Sequence, residues 1–469
     1  MARTYIQLMT LLITLASGFG VDDTGRKSLL FAGEPIVGGQ PASAVDESVT
    51  LSLPVDQTRT TRIQYSLSIR GKMITSVNAG PNEMDLSADA KFDFLQRQFT
   101  SKISGPYGLR AVRRFDTAEV VTTVAKNHKT SVVLPNDHRL CSVWGTDFAV
   151  VHLSPDVRLT RQQVDLLQLP CDPIVVGGLM PSRTLASSTE KWNTDSWVIP
   201  LLSGLEAAVT QSATCEIQRI TSDEAVVVFT AKADGAIAGS GSAIGLEGQL
   251  TVDRKAGYVK SLKAVLTEKR SPGTVSPGLD VKATIEWTQT LADKEADLPK
   301  EPTGDVPDER QLLLTLPTPW RLMMLHSRDW YVFHESADVI MLRLLDHGSL
   351  IGQLNVAVAP SMPAGQATPE EKFRDEVKQS LVQQKGETVS YQVIPSKDDW
   401  KVQHVHARSM GTNKAILWDY YLCTWKTGEQ FLLIFSHAEE NREKFAGAAG
   451  KIIESLTIRP VRPGIVLPR

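Results

Sequence analysis

Regular alternation of apolar and polar residues in two neighbouring segments is the feature that most constrains the fold of this chain. Every second residue of 62–70 is apolar, from Ile63 to Ile69, and 86–94 repeats the pattern against intervening polar residues. Successive side chains of an extended strand point to opposite faces, so each segment would bury one face and wet the other. Sheets with one wet face are typically antiparallel, and the pattern therefore predicts an antiparallel sheet.

The first half of the chain has few helical signals. Thr160 and Gln163 form a capping box that predicts a short helix through Leu169, which Pro170 ends, and 201–208 is a second candidate helix. Six further segments have the composition or the alternation of strands: 109–115, 120–125, 148–153, 225–231, 258–269 and 281–287. Together these patterns predict a β-rich antiparallel domain, a curved sheet with few short helices.

The length of 469 residues exceeds what one hydrophobic core usually supports, so two domains are expected. About half of the residues in 292–310 are charged, and Pro299, Pro302 and Pro307 recur there, so this segment is predicted to be an interdomain linker. The β-rich domain could consist of two similar halves, the second starting near Trp192. The predicted boundaries are a flexible segment at 21–45, the β-rich domain at 46–291, the linker, a second domain at 311–460 and a tail at 461–469.

The second, smaller domain is predicted to be α+β, with an antiparallel sheet packed by helices. Thr368 as N-cap, Pro369 at the first helical position and Glu371 as capping-box partner mark the start of its central helix. A final helix is predicted at 439–456, where apolar residues recur at helical spacing. Strands are predicted at 330–334, 339–346, 351–359, 388–394, 400–409, 415–426 and 430–437.

Each domain resembles a known family in its order of elements. The first, a sheet curved over short helices, resembles the half-barrel of periplasmic lipoprotein carriers, which implies a concave apolar face. The second has an aromatic strand at Trp330, a hairpin region at 348–352, a middle helix and a terminal helix that ends in 452–456. That order, over 317–458, resembles the PsbP family of extrinsic photosystem subunits and their bacterial relatives. The resemblance implies an interaction module without catalytic residues.

The first twenty residues indicate export. Arg3 precedes an apolar run over 6–16, and small residues follow, among them Gly18 and Gly20. This is the layout of a secretory signal peptide with cleavage after one of these two glycines, and the run is too short to span a bilayer. The alternative is a buried N-terminal helix. We therefore expect 1–20 to be a signal peptide and the protein to be periplasmic or extracellular. No transmembrane span is expected after cleavage, and no lipid anchor, since no cysteine lies nearby.

Charge and motifs exclude several classes of function. A net charge of -3 and the lack of a Lys/Arg stripe exclude nucleic-acid binding. The glycines of 239–245 do not follow G-x-G-x-x-G and precede a strand-like segment, so no phosphate-binding cofactor is expected. The segment 36–39 resembles the N-terminus of activated trypsin-like proteases, but no matching histidine or serine motif accompanies it. No catalytic residue and no cofactor is therefore predicted.

His404 and His406 are the sharpest chemical signal in the sequence. They stand two residues apart in a predicted strand, so both imidazoles would share one face of the sheet. They could chelate a metal ion if a third ligand, such as His437 or Asp399, lay across the sheet. The alternative is a strand face that carries histidines without a metal.

The four cysteines, Cys141, Cys171, Cys215 and Cys423, stand far apart and form no C-x-x-C pair. In an oxidising compartment they could form disulfides. The loop of moderate length between Cys141 and Cys171 favours that pairing. The alternative is four isolated thiols that are buried as small apolar residues.

Two classes of function remain open. The favoured one is an exported, non-catalytic protein of the cell envelope that binds a partner protein or an apolar ligand. The other is a cell-envelope hydrolase whose site is assembled from residues distant in sequence. A cleft in which an acid, a base and a nucleophile converge would support the enzyme, whereas a dry groove lined by Leu, Ile and Phe would support the binding protein.

Overall fold

The computed structural model describes residues 48–51, 53, 58–77, 80–100, 103, 105–125, 128–147, 149–292, 298–299, 312–315, 320–395, 399–411 and 414–459. The predicted signal peptide, the segment 21–45, most of the linker at 292–310 and the tail at 461–469 lie outside these residues. The chain divides into two compact units, one spanning Gln40–Leu313 and the other containing Leu314–Arg469. Among the described residues no helix is both long and apolar enough to cross a membrane.

The first unit contains one eleven-stranded sheet in which neighbouring strands run antiparallel. Its strands are β1 Thr58–Val77, β2 Gly80–Thr100, β3 Leu109–Val124, β4 His128–Val133, β5 Leu140–Gly145, β6 Val150–Leu153, β7 Ala207–Ile220, β8 Glu224–Ile237, β9 Ser240–Asp253, β10 Tyr258–Arg270 and β11 Gly278–Leu291. The order is β6-β5-β3-β2-β1-β11-β10-β9-β8-β7, and β4 pairs with β3. The prediction of a strand-rich chain with antiparallel sheets and few helices is thus confirmed.

One predicted pair of strands is a single strand in the structure. The segments 109–115 and 120–125 both belong to β3, and the alternation changes phase at Asp116. There the register of β2 against β3 shifts, because Phe94 pairs with Phe115 and the preceding residue of β2 pairs with Thr117. A β-bulge interrupts the pattern without ending the strand. The prediction of two separate strands here was therefore wrong.

The polar residues of the alternating pattern form ion pairs between neighbouring strands. Arg70 on β1 contacts Asp89 on β2 at 2.8 Å, and Lys72 contacts Asp85 at 2.5 Å. Their side chains are about half exposed. Exposed pairs of this kind contribute little to stability. Their value is in specifying which face of the sheet stays in water.

The opposite face of the sheet is covered by the chain between β6 and β7. This covering segment, 154–206, contains the helices α1 Arg161–Leu167 and α2 Val198–Ser203 and a short 3-10 helix, Val176–Leu179. The predicted capping box is present, since the Thr160 hydroxyl accepts from the backbone N–H of Gln163 and the Gln163 side chain accepts from the backbone N–H of Thr160. The helix predicted at 201–208 lies earlier, because Gly204 adopts a φ of 76° and ends it.

The covering segment and the sheet share one hydrophobic core. Leu167, Leu179 and Leu202 of the segment are fully buried in the same cluster as Phe94 and Trp287 of the sheet. Burying one leucine side chain contributes about 1.5–3 kcal/mol. The apolar face that the resemblance implies is therefore packed against the protein's own chain.

The second unit contains a seven-stranded antiparallel sheet with helices on both faces. Its strands are β14 Trp330–Glu335, β15 Val339–Asp346, β16 Ser349–Ala359, β17 Glu387–Ile394, β18 Trp400–Met410, β19 Ala415–Trp425 and β20 Gln430–Ala438. The sheet order is β14-β15-β16-β20-β19-β18-β17. The short strands β13 Leu322–His326 and β21 Thr457–Ile458 pair with each other, and β12 Leu313–Thr315 lies at the boundary between the units. The helices are α3 Glu370–Val382, α4 Arg442–Phe445 and α5 Ala448–Glu454.

Two helix predictions in this unit were wrong in detail. Thr368 does not cap α3, whose N-cap position is Pro369 without a side-chain hydrogen bond. The buried Thr368 hydroxyl instead donates to the side-chain oxygen of Gln430 at 2.9 Å, and the Gln430 amide donates to Thr424 at 2.7 Å. The final helix is broken into α4 and α5, because Gly447 adopts a φ of 77° that a continuous α-helix does not allow.

Candidate functional site

His404 and His406 lie side by side on β18 and share one carboxylate. The Nε2 atom of His404 lies 2.8 Å from Oδ1 of Asp419, and the Nδ1 atom of His406 lies 2.9 Å from the same oxygen. Asp419 stands directly opposite His406 on β19. The prediction that both imidazoles share a face agrees with this geometry, but the acid between them was not predicted. We call these three residues the histidine–aspartate cluster.

Neighbouring side chains fix the orientation of the His404 ring. The His404 ring stacks on Tyr421 with 4.3 Å between ring centres, and its Nδ1 atom lies 3.0 Å from the amide nitrogen of Gln392 on β17. An amide N–H donated to Nδ1 leaves the proton of a neutral His404 on Nε2, where it is donated to Asp419. The His406 side chain is 26% exposed and Asp419 is 17% exposed, so this part of the cluster is within reach of solvent.

The shared carboxylate changes the proton affinities of the cluster. Burial raises the pKa of Asp419, but hydrogen bonds from the two histidines outweigh it, and the net pKa lies below its usual value. The hydrogen bond that His406 donates to Asp419 raises the pKa of His406. The raised pKa of His406 stabilises the folded protein fully below about pH 6.5, the pKa of a histidine in the unfolded chain, and this stabilisation is lost as the pH rises through the pKa of the folded state. The lowered pKa of Asp419 stabilises the folded protein above about pH 4, and this stabilisation is lost as the pH falls through the pKa of the folded state.

The predicted third ligands of a metal ion both interact with other groups. Asp399 forms an ion pair with Lys426 at 2.5 Å. His437 donates from Nδ1 to the carbonyl oxygen of Ala438 at 2.9 Å, and burial lowers its pKa. Over the described part of the chain, no group of three or more His, Cys, Asp or Glu residues is arranged to hold a metal ion. The two histidines instead contact the carboxylate of Asp419, which the metal hypothesis did not include.

The histidine–aspartate cluster has part of the chemistry of a hydrolase. Asp419 holds His406 through Nδ1, which leaves Nε2 as the atom that could accept a proton, as in an acid-assisted catalytic histidine. Within the described residues, however, no hydrogen bond joins His406 to a serine, threonine or cysteine side chain. The histidine–aspartate cluster therefore orients His406 as a base, but no nucleophilic side chain is hydrogen-bonded to it within the described residues.

A second charged cluster lies inside the first unit. Arg113 on β3 donates from Nη1 and Nη2 to the two carboxylate oxygens of Asp172, which also accepts from the backbone N–H of Ile174 at 2.9 Å. The Nε atom of Arg113 donates to Gln96 at 2.8 Å, and Nη1 lies 3.1 Å from Nε2 of His152. We call this set the buried arginine cluster.

The buried arginine cluster has a structural role. Burial raises the pKa of Asp172, but the Arg113 guanidinium outweighs it, so the net pKa is lowered and the pair stays ionised. Both side chains are essentially inaccessible to solvent, so no substrate reaches them. Because Asp172 lies in the covering segment and Arg113 in the sheet, the pair fixes where that segment sits. Two sheet aromatics assist, since Tyr65 donates to the carbonyl of Pro170 and Trp287 to that of Cys171.

All four cysteines are buried free thiols in the structure. The disulfide expected between Cys141 and Cys171 is not formed, and the alternative of isolated buried thiols describes the arrangement. Burial raises the pKa of Cys141, Cys171 and Cys215 to about 12. A thiol that stays protonated and out of contact with solvent is a poor nucleophile. These cysteines therefore act as small core residues.

The outer edge of β17 is an exposed surface that the sequence did not single out. β17 ends the seven-stranded sheet and pairs only with β18 within the described chain. Its residues 388–394 include no charge, no proline and no glycine. Within the described residues, their backbone makes no hydrogen bonds except those to β18. Val389 is 58% exposed and Val393 is 43% exposed. Natural edge strands are usually blunted by charges, proline or a covering element.

Comparison with known proteins does not assign the chain to a family. No family model matches it, and no curated protein is similar to it in sequence. A crystal structure from Bacteroides thetaiotaomicron VPI-5482 aligns at 15% identity over 31% of this chain, with a TM-score of 0.23. The chain spans about half (47%) of the length of that protein.

Two further solved structures align even more weakly. DynF from the dynemicin biosynthesis pathway of Micromonospora chersina aligns at 9% identity over 58% of this chain and 99% of its own, with a TM-score of 0.16. OccK5 from Pseudomonas aeruginosa aligns at 7% identity over 82% of this chain and 99% of its own, with a TM-score of 0.12. Scores this low carry no argument about fold or function.

Proposed function

We propose that this chain is an exported, non-catalytic protein of the cell envelope that binds another protein, and that it does so by adding a strand of its partner to the edge of β17. Export rests on the predicted signal peptide at 1–20. The finer architecture belongs to the same proposal: a β-rich half-barrel like that of lipoprotein carriers, joined by the linker at 292–310 to a PsbP-like α+β domain. The location is periplasmic or extracellular.

The observation that carries the proposal is the open edge of β17. An added strand gains main-chain hydrogen bonds along the edge, and exposed side chains such as Val389 and Val393 supply specificity. The lack of charge in 388–394 means that an uncharged, extended partner segment meets no unpaired charge. The partner is therefore expected to present a β-forming segment without charged residues.

A protein partner is better supported than an apolar ligand. The face of the first sheet that would hold a lipid is packed against the covering segment through Leu167, Leu179 and Leu202. An apolar ligand would have to displace these side chains, at a cost of about 1.5–3 kcal/mol for each one exposed.

The test uses the full chain and a blocked heptapeptide of alternating threonine and valine, labelled for fluorescence anisotropy. Saturable binding is expected, with slower hydrogen exchange of the amides of 388–394, because the peptide occupies the edge. The matched control is the same peptide with proline at its central position, which removes a main-chain donor. Equal behaviour of the two peptides, or unchanged exchange in β17, would contradict the proposal.

The oriented base at His406 favours one alternative, a cell-envelope hydrolase. In that case the full chain would hydrolyse a generic activated ester, and H406A would abolish the activity while H347A, at an exposed histidine outside the cluster, would not. Hydrolysis no faster than the buffer blank excludes this alternative.

A further inference from the structure

We propose that two copies of this chain pair antiparallel along β17, across a two-fold axis at Tyr391. This inference rests on the proposed strand-adding role of the β17 edge, and it names a second copy of the chain as an occupant of that edge. The pairing would join two seven-stranded sheets into one continuous sheet. A two-fold axis makes each contact twice, which is the usual symmetry of a homodimer.

The sequence of β17 is a palindrome of side-chain types, centred on Tyr391. From Thr388 to Ile394 it is Thr-Val-Ser-Tyr-Gln-Val-Ile, with β-branched residues at both ends, valines inside them, polar residues next and tyrosine at the centre. Antiparallel pairing on an axis at Tyr391 places Val389 opposite the second copy's Val393. It places Ser390 opposite the second copy's Gln392. Like classes therefore meet at every position of the pair.

Exposure and charge both favour this pairing. Val389 and Val393 are 58% and 43% exposed, so the pairing removes apolar surface from water. No like charges meet, because 388–394 contains none. Pro395 follows directly and has no N–H to donate, so the pairing ends there and its mirror position, Glu387, stays outside it. The matched stretch is thus limited to the palindromic segment.

The geometry of β17 also limits the strength of the dimer. The register of β17 against β18 shifts between Thr388 and Ser390, which is a β-bulge at Val389. A bulge increases local twist and shortens the straight part of an edge. Seven paired residues span only about 24 Å, and an interface of that size is small for a permanent dimer. A concentration-dependent equilibrium between monomer and dimer is expected.

The edge of the other large sheet is a weaker candidate. β7 is also exposed at Val209, although it includes the charged residues Glu216 and Arg219. However, its Cys215 already exchanges backbone hydrogen bonds with Trp192, and its Gln211 side chain donates to the carbonyl of Ser196. The protein's own chain therefore lies along part of β7, whereas within the described residues the outer backbone edge of β17 makes no hydrogen bonds.

The test is a charge exchange at the two valines, with the dissociation constant of the full chain measured by sedimentation. V389K/V393K would bring lysines opposite each other twice and is expected to weaken the dimer about tenfold or more. V389E/V393K would bring opposite charges together twice and is expected to restore the dissociation constant to within about threefold of wild type. The control, V133K/V209K, adds the same charge at exposed valines of β4 and β7 and should leave dimerisation unchanged.

The outcomes separate this inference from the proposed function. A wild-type chain that stays monomeric at every soluble concentration overturns the second-copy inference, as does a dimer that V389K/V393K leaves intact. If the chain is monomeric yet binds the threonine–valine heptapeptide at β17, strand addition stands and only the second copy fails. If it is monomeric and the peptide does not bind, both proposals fail.

Discussion

Removing the carboxylate of Asp172 should destabilise the first unit far more than removing a surface carboxylate. In D172A, Arg113 stays fully buried and loses both of its bonds to the acid, while the backbone N–H of Ile174 loses its acceptor. Gln96 and His152 remain beside the guanidinium, but neither carries a negative charge. Leaving one charge of a buried pair without its partner costs about 3–5 kcal/mol.

The double variant R113M/D172A separates the unpaired charge from the loss of packing. Methionine fills much of the arginine volume without a charge, so the remaining cost is that of the Gln96 side-chain oxygen and the Ile174 N–H losing these hydrogen-bond partners, about 1–3 kcal/mol each at most. We expect the double variant to be less destabilised than D172A alone. Such non-additivity is characteristic of residues that act as one unit.

The assay is urea unfolding of the full chain, followed by tryptophan fluorescence, with the transition of the first unit analysed separately. The matched control is D89A, which breaks the half-exposed pair with Arg70 and should cost less than about 1 kcal/mol. If D172A lowers the free energy of unfolding as little as D89A does, the structural role of the buried arginine cluster is refuted. The same holds if the losses of R113M and D172A simply add in the double variant.

Three further predictions follow from the described sites. The difference in free energy of unfolding between wild type and H406Q should shrink as the pH rises from about 6 to about 8, because the raised pKa of His406 makes its charged form stabilising. The pKa of His437 is lowered instead, but this residue is present in both proteins. An advantage that grows over this range would be contrary to the geometry. In the native protein the four cysteines should resist a thiol reagent and react only on unfolding, because all are buried; a Cys141–Cys171 disulfide in a non-reduced peptide map would show that the thiols are paired instead. Native mass spectrometry of the full chain from its native source should show no bound lipid, since the covering segment fills the sheet face; a stoichiometric lipid adduct would mean that the segment is displaced.

Strand content was predictable because water contacts one face of the first sheet. Alternation in 62–70 and 86–94 reports that asymmetry directly, and both segments lie inside β1 and β2. The bulge at Asp116 was not predictable from the same pattern, since a change of phase looks like a turn. The break at Gly447 had a visible signal, a glycine inside a predicted helix.

The candidate sites were predictable only where they depend on local spacing. His404 and His406 share a face because they are two residues apart on a strand, and that was foreseen. Asp419 was missed because its position depends on the register between β18 and β19. Arg113 and Asp172 are 59 residues apart, and no periodic pattern links them. The edge position of β17 depends on the strand order of the whole sheet.

The most direct test of strand pairing at β17 is a single cysteine at its centre. On a two-fold axis at Tyr391, Y391C places two thiols opposite each other, about 4.5–5.5 Å apart at the Cα atoms, which is within the range of a disulfide. The four native cysteines are fully buried and give little background. Under mild oxidation Y391C should form a covalent dimer, while S390C, which would face Gln392 of the second copy, should not. Equal cross-linking of the two variants, or none by Y391C at concentrations where the protein is dimeric, would contradict the account.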